Sequence, residues 1–275
     1  MTSWSTSDGY AHISWTRRYI DNLGYFKQTI SYSRIDASCE MSPVQDLMQP
    51  ISLSEGKYFG IDMDVRGTDI IIGGYHRDIS TGGTFKDLTS VFLLKSDYPI
   101  SFEDWKLTPN VIDEIELSMY DSDPVAVEFG EEYTHILYQS NRDDITGDER
   151  IGLWYAHGSS DQTSWTYRKA IGDEAGMQKM SVITHEGSDY IYSVWKEGSD
   201  AESKLVSKVT DSTMTALENL SVEIPSKGIG NIQMTETHLG IQIFYDFVGP
   251  TGSQIQYGLM NPIHEEEWIG LSNRI

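Results

Sequence analysis

The sequence predicts an all-β chain folded as a five-bladed β-propeller, and three observations carry that prediction. The stretch from Asp123 to Ala170 reads as four short strands, PVAVEF, THILYQS, RIGLWYAH and SWTYRKA, set apart by Gly, Asn and Asp clusters that punctuate β-structure. No segment of it carries a helical period. The same strand-turn-strand signature returns every roughly 50–60 residues, a period that marks propellers and arrays. One four-stranded sheet cannot bury both of its faces alone, so the copies must cover one another.

Taken in order, the first copy is expected in SWSTS, AHISWTRR and TISYSRI, with a weak fourth strand near LMQPISL. The second holds YFGIDMDV, DIIIGGYHR, SVFLLKS and DWKLTPN, and the third is the stretch above. The fourth holds KMSVITH, DYIYSVWK, KLVSKVT and a poor outer strand near LSVEIPS; the fifth holds NIQMTET, GIQIFYDF, QIQYGLM and EEWIGLS. The blades therefore fall at about 1–57, 58–119, 120–176, 177–227 and 228–275, one domain over the whole chain. A β-sandwich accounts for the strands but not for the repeat. Trp105, Trp165 and Trp268 recur on outer strands, where a Trp wedges against a neighbouring blade. The runs SSDQTSW and SDYPISFEDW resemble worn forms of the Asp-box turn of sialidase-type propellers, a feature of fold that implies no catalysis.

Composition bounds the function. The 275 residues include 7 Trp, 16 Tyr and 8 Phe, ample for a core, and carry a formal charge of -22. That balance argues against nucleic acid or a membrane as partner, because phosphate needs a basic face. Cys39 is the one cysteine, so no intrachain disulfide forms. The start MTSWSTSDGYAHISW lacks a basic and then apolar leader, so a cytoplasmic protein is expected.

In a propeller the innermost strands line a channel, and the face where they begin, with the loops between second and third strands, holds the ligand. Arg17, Arg77, Arg142 and Lys196 thus bring a cation from four blades to one rim, in a chain with 20 Lys and Arg against 42 acids. The plain alternative is local pairing, as Arg77 with Asp78 or Lys196 with Glu197, which is worth little. Tyr75, His76, Tyr138, Gln139, Trp195 and Tyr245 fall at the same strand ends. Early on the inner strands come Trp4, Asp62, Asp64, Asp123, Lys179, Asn231 and Gln233, a mixture suited to a small oxygenated molecule. Met63, Met180 and Met234 are expected in blade packing. There is no HExxH, Walker loop or clustered His/Cys spacing, so neither metal nor cofactor is expected.

The run DPVAVEFGEEYTHILYQS, followed by RIGLWYAHGSSDQTSW, resembles a blade of the five-bladed furanosidase-type glycosidases. That resemblance implies carboxylates on successive inner strands, to which Asp62 or Asp64 and Asp123 are matched, with no third acid placed in the fourth blade. The runs RIGLWYAHG, QIQYGLM, ILYQS and IFYDF are similar to repeats of fungal fucose-specific lectins, whose sugar-binding Glu position reads Leu153, Tyr257 and Tyr32 here. Lectin-like propellers without sugar residues include fungal hetero-Diels-Alderases, which this chain resembles in size and in its aromatic-polar funnel. The expectation drawn from that likeness is a non-hydrolytic cyclisation or cycloaddition of a largely apolar, oxygenated molecule. Arg17, Arg77, Arg142 or Lys196 would polarise oxygen, and Trp4, Tyr75, Tyr138, Trp195 and Tyr245 would stack on the ligand. The alternatives are a lectin with sites between blades and a glycoside hydrolase. A small molecule or glycan is the expected partner, and a homodimer is left open.

Overall fold

The computed structural model describes residues 2–5, 9–78, 88–97, 105–116, 124–140, 152–159, 165–173, 175–185, 187–198, 203–215, 222–225, 229–237, 240–249 and 252–260. Every named element among them is a strand. The first sheet holds β1 (Thr2–Ser5), β2 (Ala11–Ile20) and β3 (Phe26–Ile35), its fourth place shared by β4 (Gln45–Asp46) and β5 (Ile51–Ser52), which both pair with β3. The second runs β6 (Gly56–Arg66), β7 (Asp69–Asp78), β8 (Leu88–Asp97), β9 (Trp105–Glu116). The third runs β10 (Ala126–Phe129), β11 (Tyr133–Ser140), β12 (Gly152–Ser159), β13 (Trp165–Asp173). The fourth runs β14 (Ala175–His185), β15 (Ser188–Glu197), β16 (Lys204–Thr210), β17 (Val222–Pro225), and the fifth β18 (Ile229–Thr237), β19 (Gly240–Gly249), β20 (Gly252–Met260). EEWIGLS, expected as the last outer strand, lies outside the described residues.

Within each sheet the strands pair antiparallel in chain order, and the first strands stand beside one another: β1 by β6, β6 by β10, β10 by β14, β14 by β18. That is the arrangement of a β-propeller, with inner strands about an axis and broad faces turned to the next sheet. Both faces of a sheet are then apolar, which is why β7 reads Ile70-Ile71-Ile72 without alternation. Ile70 and Ile72 pack with Ile30 and Tyr32 of the first sheet, whereas Ile71 packs with Val125 and Ile136 of the third. Two further cores fill the next seams, around Leu137, Met180 and Trp195 and around Val194, Ile232 and Ile243. Met63, Met180 and Met234 lie in or against these cores, and Trp165 packs against the core between the second and third sheets.

Backbone groups left open between sheets find side chains. Gln28 Nε2 donates to the Tyr58 carbonyl at 3.0 Å and its Oε1 accepts the Tyr58 N–H at 3.1 Å, so one amide stands in for a strand partner. A buried His–Tyr bond of 2.7 Å joins His12 Nδ1 to the Tyr32 hydroxyl and recurs as His135 Nδ1 with Tyr155, each spanning 20 residues. Asp21, Asp36 and Asp211 each build one turn, with Oδ1 accepting the N–H groups two and four residues on. The third residue after each Asp has positive φ, and at the second of these turns that residue is the exposed Cys39 (φ 63°).

Candidate functional site

β6 sorts its side chains strictly. Ile61, Met63 and Val65 enter the core facing the first sheet. Gly60, Asp62, Asp64 and Arg66 therefore turn toward β10, whose inner edge presents a row of N–H groups. The Val125 N–H donates to the Gly60 carbonyl at 2.9 Å, Val127 to Asp62 Oδ2 at 3.2 Å and Phe129 to Asp64 Oδ2 at 2.9 Å. Arg66 Nη1 closes the row by donating to the Gly130 carbonyl. A register shift between Phe59 and Asp62, with Gly60 at φ 60°, is what aims the two carboxylates.

Glu128 completes the cluster. Its carboxyl is hydrogen-bonded to Asp64. Burial pushes the Glu128 acid well above the usual range, and the charges of Asp64, Asp62 and Glu236 of β18 push it the same way. Asp64 is also raised, by burial first, while the Phe129 and Val65 N–H groups restrain the rise. Of the two hydrogen-bonded acids, Glu128 is the one pushed further toward its protonated form, so the shared proton favours Glu128 and is donated to Asp64. Acids from two sheets meet here, within the field of Glu236 from the fifth, toward the ends of the inner strands rather than at the rim where those strands begin.

A second network anchors the turn that follows Glu128. His135 Nε2 lies 3.1 Å from Asp189 Oδ2 of the fourth sheet. Asp189 Oδ1 accepts the Glu131 N–H and the Thr184 hydroxyl, both at 2.8 Å. Burial would raise the Asp189 carboxyl, but hydrogen bonds from His135, Glu131 and Thr184 win and hold it well below the usual range. His157 stands beside Tyr133, ring centroids 4.2 Å apart, and burial with the neighbouring His135 pushes its imidazole down to about 4. No group of three or more His, Cys, Asp or Glu among the described residues is set to hold a metal ion.

The residues expected at the site divide. Asp62 and Asp64 meet Glu128, which the sequence reading passed over; a lone acid inside the apolar run VAVEF was the available signal. Tyr75, Tyr138, Trp195 and Tyr245 are buried in the seams, which corrects the ligand-stacking role expected of them. The reason is that a strand end in a two-faced sheet is still core. Tyr75 stacks on Phe59 at 5.1 Å, and its hydroxyl accepts the N–H of Gln139, itself buried. Trp195 Nε1 donates to Glu197 at 3.1 Å. His76 stacks on Tyr58 at 5.0 Å, and burial lowers its pKa. Arg17 reaches Asp46 at 3.4 Å and stays exposed. Arg77, Lys179 and Lys196 are half-buried and Gln233 is exposed. Arg142, Asp123 and the side chain of Trp4 lie outside the described residues.

No family model and no curated protein matches the sequence. Solved structures do match the fold. An alpha-L-arabinofuranosidase from Lactobacillus brevis is 11% identical over 95% of this chain and 90% of that one, with a TM-score of 0.53. A thermostable family-43 glycoside hydrolase is 10% identical over 95% and 89%, TM-score 0.50. A family-32 beta-fructofuranosidase of Bombyx mori is 9% identical over 94% of this chain and 60% of that one, TM-score 0.52. At such identity the likeness shows the fold alone: the chain is an all-β propeller of antiparallel sheets. It also corrects the expectation of a cyclisation catalyst, because these three structures of the same fold are glycoside hydrolases. The furanosidase resemblance holds at the level of fold, and the likeness to fungal lectins and hetero-Diels-Alderases is not shown.

Proposed function

We propose that the chain binds a glycan in its channel and hydrolyses a glycosidic bond there. One observation carries the reading: Glu128 is hydrogen-bonded to Asp64 and clustered with Asp62 on neighbouring inner strands, where burial and the two aspartates push its carboxyl toward the protonated form. Glycoside hydrolysis needs a proton donor for the leaving oxygen and a second carboxylate as nucleophile or base. A directly hydrogen-bonded pair is closer than the roughly 5–9.5 Å that separates such carboxylates across a sugar. Asp64 therefore serves to hold the Glu128 proton, and Asp62 is the second carboxylate. The fold it shares with arabinofuranosidase and fructofuranosidase structures supports a furanoside as substrate.

A second placing of the acids has its own support. Gln178 Nε2 donates to the Pro124 carbonyl at 2.7 Å and so ties the start of β14 to the approach to β10. In sequence Asp123 directly precedes Pro124, and Glu174 directly precedes β14; the fourth unit begins at Ala175, so an acid does stand at its start. Both acids lie outside the described residues.

Release of reducing sugar from arabinan, β-fructan and nitrophenyl furanosides tests the proposal. Glu128→Gln is expected to lose about 10²–10⁴-fold on the polysaccharides and less on a good leaving group, as for a general acid. Full activity in Glu128→Gln with that loss in Glu174→Gln moves the donor to Glu174. Glycan binding without any turnover in the unmodified chain rejects hydrolysis.

A further inference from the structure

The turn between β2 and β3 departs from the rest of the surface. The two strands stay paired out to Ile20 and Phe26, on the side of the sheet where β1 begins beside Trp15. At its tip Ile20 is 59% exposed, Leu23 80%, Tyr25 60% and Phe26 61%. The tip is held out by design of its turn: Asp21 Oδ1 accepts the Leu23 and Tyr25 N–H groups at 2.9 Å each, and Gly24 has φ 85°. Directly behind stand Arg17 and Arg18, both exposed, with Lys27 on the opposite strand. Arg17 lies over the Tyr19 ring at 5.2 Å.

Four large apolar groups on a convex point do not form a pocket for a small ligand, and they shape no groove for a rigid partner. A fluid apolar medium accepts any convex shape. Running back from the turn, where the Asp21 carboxylate is taken up by its own N–H bonds, come the exposed Leu23 and Tyr25, then Ile20 with Phe26, then Tyr19 with Lys27, then Arg18, so apolar groups lead and cations follow, as acyl chain and anionic headgroup do in a bilayer. We propose that this hairpin docks the protein on an anionic lipid surface, with Ile20, Leu23, Tyr25 and Phe26 inserted and Arg18 and Lys27 facing the headgroups, while Arg17 stays paired with Asp46. The formal charge of -22 speaks against membranes for the surface as a whole. Charges beyond about 8–10 Å are screened at physiological salt, so Arg18 and Lys27 decide the contact and the acidic remainder keeps every other face away. The inference does not depend on the hydrolase reading.

Co-sedimentation of the full chain with vesicles tests it, using phosphatidylcholine alone and phosphatidylcholine mixed with phosphatidylserine. The expected result is binding to the mixed vesicles that weakens as salt rises. Leu23→Ser with Phe26→Ser should bind at least about tenfold more weakly, from lost apolar burial alone. Arg18→Glu should lose the preference for phosphatidylserine. Both variants alter exposed side chains, so their melting temperatures should match the unmodified chain. An unmodified chain that ignores both vesicles, or a Ser double variant that binds as well as it does, overturns the proposal. So does self-association that the double variant abolishes in the absence of vesicle binding, which would assign the tip to a second copy.

Discussion

Gly130 sits between two cross-sheet contacts, its carbonyl accepting from Arg66 and its Cα lying against the His135–Asp189 pair. A Cβ there would stand 2.1 Å from Asp189 Oδ2 and 2.5 Å from His135 Nε2, and both side chains are fixed by their own hydrogen bonds. Gly130→Ala should therefore cost about 1–3 kcal/mol, read as a lowered denaturation midpoint at unchanged slope. A cost within about 0.5 kcal/mol would mean that the network yields. His157 gives a pH test. Its folded pKa is about 4 against the ordinary 6.5 of a solvated imidazole, so between those values the unfolded chain takes up a proton that the folded one refuses. Stability is then lost as pH falls from 6.5 toward 4, by up to about 3 kcal/mol. His157→Gln should flatten stability over that window; an unchanged slope would place the effect elsewhere. At this scale the sequence was half legible. Met63, Met180 and Met234 were readable as packing because long apolar side chains in strands have few other uses. Asp189 and His135 were not, since they stand 54 residues apart and meet only when the third and fourth sheets do.

At the scale of the element, the strands were legible almost throughout, because hydrophobic runs broken by Gly, Asn and Asp leave few other choices. What the pattern withheld was direction. Tyr138 and Trp195 were placed at a ligand face, yet a strand packed on both sides has no polar face by which to tell a lining residue from a core one. The lone fourth strand of the first sheet was read as weak near LMQPISL, and it is in fact two short pieces, Gln45–Asp46 and Ile51–Ser52. The β6–β10 seam gives the element-level prediction. Asp62→Ala and Asp64→Ala each remove the acceptor of a β10 amide and should cost about 1–3 kcal/mol, whereas Asn at either place keeps an oxygen and should cost less. Hydrogen exchange at Val127 and Phe129 reads this directly. Amides that stay protected in both Ala variants would show that the seam does not rest on the carboxylates.

For the whole molecule, charge is the dominant property. With 42 acids against 20 Lys and Arg, self-repulsion opposes compaction. The melting temperature should climb as sodium chloride is raised from about 0.01 M, where the Debye length is about 30 Å, to about 1 M, where it is about 3 Å. A flat or falling profile in calorimetry would count against that account. The row of β10 amides has a consequence at this scale as well. A strand edge with open donors is a template for any passing chain, and sheet proteins must hide such edges or clump. Here the edge is occupied from the side by Gly60, Asp62 and Asp64, so the hub of the molecule offers no invitation to foreign strands, and resistance to fibre formation is fastened to the same two carboxylates that flank Glu128.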